Sequence, residues 1–192
     1  NALTDLHHPC QILSDIMTVI EKKGPIQNQH ITWVGDGNNM ANSWIEAASR
    51  MGFTLTLACP EGYDPDPEIL KRAQDGAIKP ITVLRDPAEA VKNGDVINVD
   101  VWASMGHEGE EDERIKVFRP YQVNSSLLKK AKNDTIVLHC LPAHRDEEIT
   151  DDVLEGPQCA AFDQAENKLH IHKAILESHL STNTGDNNHE FN

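Results

Sequence analysis

The sequence predicts an α/β fold: a doubly wound, mainly parallel sheet with helices on both faces, Rossmann-like in outline. Three observations predict it. Short runs of strand-forming residues alternate with stretches of helical apolar spacing through most of the chain. The first such run breaks into Gly35-Asp36-Gly37-Asn38-Asn39 and then a helix pattern, the opening of a βαβ unit. Two later runs end abruptly in Asp100 and in Cys140, the place where strands of such a sheet deliver polar or reactive groups to its carboxyl edge.

Composition narrows the class. The 192 residues suffice for one domain with a real core, with 39% hydrophobic and 25% charged residues, as in soluble globular proteins. No apolar run approaches membrane-spanning length. A net charge of −14 argues against non-specific nucleic-acid binding, which needs a positive surface, but leaves room for a small anionic ligand at a local site. Cys10, Cys59, Cys140 and Cys159 lie far apart and form no CxxC pair, so a reduced, cytoplasmic setting is the simpler reading. The chain starts at Asn1 with no basic or signal-like stretch, which reads as a processed or truncated product or as a chain with residues upstream.

The elements follow in order. Pro9 at a first helical position makes His8 the N-cap and Gln11 the third helical residue. Ile12, Leu13, Ile16 and Ile20 mark the apolar stripe, and Gly24-Pro25 stops the helix. The free N–H groups of that first turn would attract an anion beside His8 and Gln11; the same spacing also fits an ordinary helix start with a surface histidine. Residues 30–34 read as a strand, and Met40, Trp44, Ala47, Ala48 and Met51 as one face of the next helix. Gly35 and Gly37 match a dinucleotide fingerprint only in part, since Met40 stands at the third glycine. Asn38 and Asn39 could bond a polar, amino-acid-like ligand or simply shape the loop by Asx-turn chemistry.

Residues 53–58 form a second strand closed by Cys59-Pro60-Glu61-Gly62, where Glu61 could hold a ribose but sits among turn residues. A charged helix over 68–74, a strand over 81–84 and a helix over 87–92 follow. The strand at 96–100 ends in Asp100, a candidate partner for a ligand amine or a loop-shaping carboxylate. The acidic run 108–113 reads as a solvated loop or a helix start, and Asn124 or Ser125 as a cap for 127–131. The run Thr135-Ile136-Val137-Leu138 then delivers His139-Cys140-Leu141-Pro142, with Leu141-Pro142 a candidate cis bond. A short strand is expected over 160–162, a helix capped by Asp163 and carrying Ala165, Leu169, Ala174 and Leu176, and a disordered tail from Ser181.

Several motifs occur in series: Asn1-Ala2-Leu3-Thr4-Asp5, His8-Pro9-Cys10-Gln11, Gly35-Asp36-Gly37-Asn38-Asn39, Asp100-Val101-Trp102-Ala103-Ser104-Met105-Gly106, His139-Cys140-Leu141-Pro142 and Glu166-Asn167. Over about residues 1–180 this series resembles the ornithine carbamoyltransferases. The resemblance implies that His8 bonds the carbonyl oxygen of carbamoyl phosphate and Gln11 its amide end, with backbone carbonyls at Cys140 and Leu141 taking the carbamoyl NH₂. It implies that Asn39, Asp100, Ser104 and Met105 hold the α-amino and α-carboxyl groups of ornithine, and that Asp100 and Cys140 lie near the attacking amine. That chemistry needs a group to take the amine's proton and a donor for the developing oxyanion.

Two departures stand out. Lys168 occupies the place of the family's phosphate-binding arginine, keeping the charge but not the two-pronged geometry. The family's Ser-x-Arg-Thr phosphate loop, which lies in an N-terminal carbamoyl phosphate domain, has no counterpart here. The expected organisation is a bridging helix over 1–24, an ornithine-binding α/β domain over 25–180 and a tail over 181–192, with the N-terminal domain outside the chain. The resemblance implies a homotrimer with contacts made largely by that other half, and two halves that close on the substrates; without the phosphate loop, which supplies positioning and charge neutralisation, the fragment alone is expected to be inactive.

The leading reading is therefore transfer of a carbamoyl group to L-ornithine, giving citrulline and phosphate, with no cofactor and no metal. The alternative is a non-catalytic module of the same fold that binds ornithine or a related amino acid. A metal site from His139, Cys140 and His144 matches no structural zinc pattern.

Overall fold

The structure is a computed structural model that describes residues 1–102 and 111–181, with backbone alone at 111 and 112. Five strands form one all-parallel sheet: β1 (His30–Val34), β2 (Thr54–Ala58), β3 (Ile81–Leu84), β4 (Val96–Val99) and β5 (Ile136–His139), in the order β3-β2-β1-β4-β5. The helices are α1 (Pro9–Lys23), α2 (Asn39–Met51), α3 (Pro67–Gly76), α4 (Pro87–Val91), α5 (Glu111–Phe118), α6 (Ser125–Leu128), α7 (Asp151–Leu154) and α8 (Ala161–Ser181). The chain winds outward from β1 to β3, then returns to place β4 on the other side of β1. The carboxyl ends of β1 and β4 thus flank the point where the winding reverses, where open α/β sheets bind ligands.

The sheet is buried on both faces, which is why its strands are near-continuous apolar runs. Ile31, Trp33, Leu55, Leu57, Val96 and Leu138 pack with Ile12, Ile16 and Val19 of α1 and with Met40, Trp44 and Ile45 of α2. Val34, Ile97, Val99 and Val137 pack on the opposite side with Val91, Tyr121, Val123, Leu127, Ile149 and Val153. Trp44 meets Phe53 edge to face with ring centroids 5.8 Å apart. Helix ends follow local chemistry. The Asn38 side chain accepts the N–H groups of Met40 and Ala41, Asp66 those of Glu68 and Ile69, and Asn124 that of Leu127. Pro60 and Glu61 form a tight turn, the Tyr63 N–H donating to the Pro60 carbonyl at 3.1 Å.

Four expectations change. Leu13 and Ile20 are 42% and 45% exposed, while Asp15, Ser14 and Thr18 of α1 are buried. The helix lies between α2 and α8, so its inner face is polar where it meets Gln164 and Asn167 of α8 and apolar where it meets the sheet. No strand runs over 160–162: the Val137 carbonyl accepts the Ala160 N–H at 2.8 Å, and α8 begins at the next residue. Asp163 is therefore in the first turn of α8 rather than its cap, and it pairs with Lys22 at 3.0 Å. Leu169 and Leu176 face solvent, because α8 leaves the body of the domain after its first turns and buries only Ala161, Gln164 and Asn167. The tail over 182–192 lies outside the described residues.

Gly37 marks a close approach of backbones. Its N–H donates to the Tyr63 carbonyl at 3.0 Å, and a Cβ there would overlap the backbone of Asp64 and Pro65. Gly37→Ala should therefore destabilise the fold by about 2 kcal/mol, read as a lower midpoint in chemical denaturation.

Candidate functional site

Parallel pairing assembles the site. Val99 pairs with His139, and Val34 with Val99. The next residues along β4 and β5, Asp100 and Cys140, therefore leave the sheet side by side. The turn after β1 brings Asn38 to the same edge. The Cys140 thiol donates to Asp100 Oδ1 at 2.9 Å, the Asn38 amide to Asp100 Oδ2 at 2.9 Å, and the Val101 N–H to Oδ1 at 2.8 Å. Burial first, and the Asp100 charge second, push the Cys140 thiol well above its ordinary pKa. The proton stays on sulfur, which donates it in a hydrogen bond to Asp100.

The amino end of α1 faces this cluster. His8 is the N-cap, and its backbone N–H donates to Ser43 Oγ at 2.8 Å. Its Nδ1 lies 3.1 Å from the Ala2 carbonyl, an acceptor, so the ring proton sits on Nδ1 and the neutral ring offers Nε2 as an acceptor. Burial lowers the His8 pKa; the Ala2 contact and Asp100 oppose this, and Lys168 and His172 add to it. Gln11 is buried, with its amide N–H on Asp15 Oδ1 at 2.7 Å. Lys168, on α8, donates to the Cys140 carbonyl at 2.6 Å.

The loop that follows β5 is built around His139. Its Nδ1 accepts the Leu141 N–H at 2.9 Å, so the neutral ring carries its proton on Nε2, which donates to Glu148 Oε1 at 2.9 Å. Glu148 also accepts the His144 N–H at 2.7 Å, and both His139 and Glu148 are fully buried. Leu141 has φ +53°, and the Leu141-Pro142 bond is cis. With both ring nitrogens engaged, His139 holds the loop and is no metal ligand beside Cys140. Among the described residues, His144, Glu147 and Glu148 bring three donor atoms within 4.8 Å of one another; Glu148 Oε1 accepts two hydrogen bonds and its Oε2 has no hydrogen-bond partner.

Of the residues singled out by sequence, His8, Asp100, Cys140 and Lys168 are brought together, with Gln11 one turn into α1. Leu141 is in the cis-proline turn. Asn39 is first in α2, and its amide donates to the Thr4 carbonyl at 2.8 Å; its neighbour Asn38 holds Asp100. Ser104 and Met105 lie outside the described residues. Sequence reasoning missed Asp15, Glu148 and Arg114. Arg114 donates to the Trp102 carbonyl at 2.6 Å, pairs with Asp36 of the glycine turn, and lies over the Tyr63 and Phe118 rings at 4.9 and 5.1 Å. It ties the start of the segment after β4 to the turn after β1.

Removing Glu148 would leave the buried His139 Nε2–H without an acceptor and free the half-buried His144 N–H. Glu148→Ala should cost about 3 kcal/mol of stability, measured by denaturant titration.

The chain is similar to known proteins in sequence and in fold. Residues 27–179 match the family model described as aspartate/ornithine carbamoyltransferase, Asp/Orn binding domain. The ornithine carbamoyltransferase of Desulfotalea psychrophila is 73% identical over 180 residues, which are 94% of this chain and 59% of that protein. That of Syntrophus aciditrophicus is 62% identical over 177 residues, 92% of this chain and 59% of the relative. Among solved structures, the ornithine carbamoyltransferase from Pyrococcus furiosus superposes with a TM-score of 0.88 at 51% identity, covering 92% of this chain and 57% of that one. The anabolic enzyme from Campylobacter jejuni gives 0.85 at 37% identity, covering 92% and 59%. The chain thus spans 59% of the length of these curated relatives. Its sheet, its motifs and these matches make it a member of the aspartate/ornithine carbamoyltransferase family.

Proposed function

We propose that this chain is the ornithine-binding half of an ornithine carbamoyltransferase, which forms citrulline and phosphate from L-ornithine and carbamoyl phosphate. The observation that carries this reading is Asp100. Its carboxylate is fixed by Asn38 and Cys140 at the point where the winding reverses, facing the start of α1. A fixed carboxylate there suits a cationic amine, and the names of the relatives supply ornithine as that amine.

In the proposed reaction the ornithine side-chain amine forms a C–N bond to the carbamoyl carbon, the bond to the phosphate oxygen breaks with its electron pair going to phosphate, and the departing phosphate takes up the proton that the amine loses. Direct attack needs no thioester at Cys140, whose thiol instead donates to Asp100. Gln11 and the Cys140 and Leu141 carbonyls would hold the carbamoyl NH₂. Lys168 now occupies the Cys140 carbonyl and would leave it for the phosphate. Asn39, Ser104 and Met105 would bind the α-amino and α-carboxyl groups. The rest of the relatives' length would supply the carbamoyl phosphate domain and the trimer contacts. It would pack on the groove between α1 and α2, lined by Pro9, Ile12, Leu13, Ala47 and Met51, and on the exposed leucines at the far end of α8. Among the described residues no helix is long and apolar enough to cross a membrane. The proposed setting is the cytoplasm, on the reading of the four cysteines as reduced thiols.

Asp100→Asn, made in the protein as its complete gene encodes it, keeps the shape and removes the charge. Turnover of ornithine should fall by about a hundredfold or more while the carbamoyl phosphate KM stays within a few-fold. An unchanged ornithine KM and rate would sink the assignment.

His8 gives a second expectation. Its pKa is lowered in the free protein, so the ring is neutral near pH 7, with Nε2 lacking a proton. While Nδ1 stays on Ala2, donation from Nε2 to the carbamoyl oxygen requires the imidazolium, so binding takes up a proton and weakens as pH rises. Calorimetry of carbamoyl phosphate binding in buffers of different ionisation enthalpy should read that uptake; none would mean that His8 does not donate as a cation.

A further inference from the structure

Beneath the site lies a carboxylate that the proposed reaction does not use. Asp15 is fully buried in the second turn of α1, and no ion pair neutralises it among the described residues. Its oxygens instead accept three side-chain amides: Gln11 at 2.7 Å and Gln164 at 2.6 Å on Oδ1, and Asn98 at 3.2 Å on Oδ2. Each amide stands on an element that also carries a site residue. Gln11 shares α1 with His8, Asn98 precedes Asp100 by two residues, and Gln164 shares α8 with Lys168. Through its oxygen Gln164 also accepts the His139 N–H at 2.9 Å, one residue before Cys140.

An isolated buried carboxylate is costly, and apolar residues of similar volume would serve packing as well or better. Burial pushes this carboxyl up to about 7, against the pull of the three amides and of Lys168. What the carboxylate gives in return is direction. A glutamine amide is nearly symmetric in shape, and only its hydrogen bonds decide which end is oxygen. As a carboxylate Asp15 can only accept from Gln11, so it takes the NH₂ end and leaves Oε1 as the free end, with no partner among the described residues.

We propose that Asp15 is a positioning residue that holds Gln11 with its carbonyl oxygen outward, so that Gln11 selects a ligand N–H donor. This rests on the reading of Gln11 as the group that meets the carbamoyl NH₂. With Asp15 absent, the amide could turn over and present N–H to N–H.

The test is a double-mutant cycle in the protein as its complete gene encodes it, assayed with carbamoyl phosphate and L-ornithine. Asp15→Ala should raise the carbamoyl phosphate KM roughly tenfold and leave the ornithine KM unchanged. Added to Gln11→Ala, it should have no further effect, because it acts through that side chain. Asp15→Asn keeps the volume and one acceptor oxygen, and it should stay within about threefold of the parent. If Asp15→Ala fails to fold, Asp15→Asn alone decides: a loss as large as that of Gln11→Ala overturns the proposal. A shift in both KM values alike, or an effect that persists without Gln11, also overturns it as a merely structural role. An unchanged carbamoyl phosphate KM in Gln11→Ala overturns the reading of Gln11 itself. An unchanged KM in Asp15→Ala alone overturns only the role of Asp15.

Discussion

All-parallel pairing is the constraint on which the site depends. It sends every strand's carboxyl end to one edge, and register then decides which residues become neighbours. Because Val99 pairs with His139, Asp100 and Cys140 leave the sheet together, and a thiol 40 residues away in sequence reaches a carboxylate at 2.9 Å. A one-residue slip of β5 would turn its side chains to the opposite faces. Buried side chains on both faces prevent that slip: Val137 lies in one apolar layer and Leu138 in the other.

The polar parts of the interior form a second framework. His139 and Glu148 shape the turn after β5, Arg114 ties the segment after β4 to the glycine turn, and Asp15 gathers amides from α1, β4 and α8. Each of these groups is buried and takes its hydrogen bonds from inside the protein, and for Arg114 and Asp15 the partners stand on separate elements. Apolar packing of these elements would tolerate small shifts. Hydrogen bonds to single atoms do not, which is how the domain can hold Asp100 and Cys140 in fixed relation.

The fold was largely legible because each of its elements announces itself locally. β-branched runs gave the strands, Pro9, Pro67 and Pro87 sit at helix starts, and Gly24 and Gly52 at helix ends. The failures came where tertiary contact overrides periodicity. A stripe of Leu13 and Ile20 on α1 is sound amphipathic reasoning, yet α8 packs on a different, polar face. The residues at 160–162 look like a strand, but the segment meets β5 only through one isolated bridge, Cys159 to Val137.

By itself the sequence determined the α/β class, the alternation of strands and helices from β1 to β5, and the position of Asp100 and Cys140 at strand ends; His8 and Lys168 were marked through the family resemblance. Spacing and residue chemistry are local, and strand ends and helix caps are written locally. Only the tertiary structure decided which partner each group meets. Asp100 takes Asn38 rather than Asn39, His139 turns to Glu148 rather than to the thiol, and Asp15 is buried among amides. These pairings join residues up to 149 positions apart, and sheet register and helix packing set them, which no local pattern encodes.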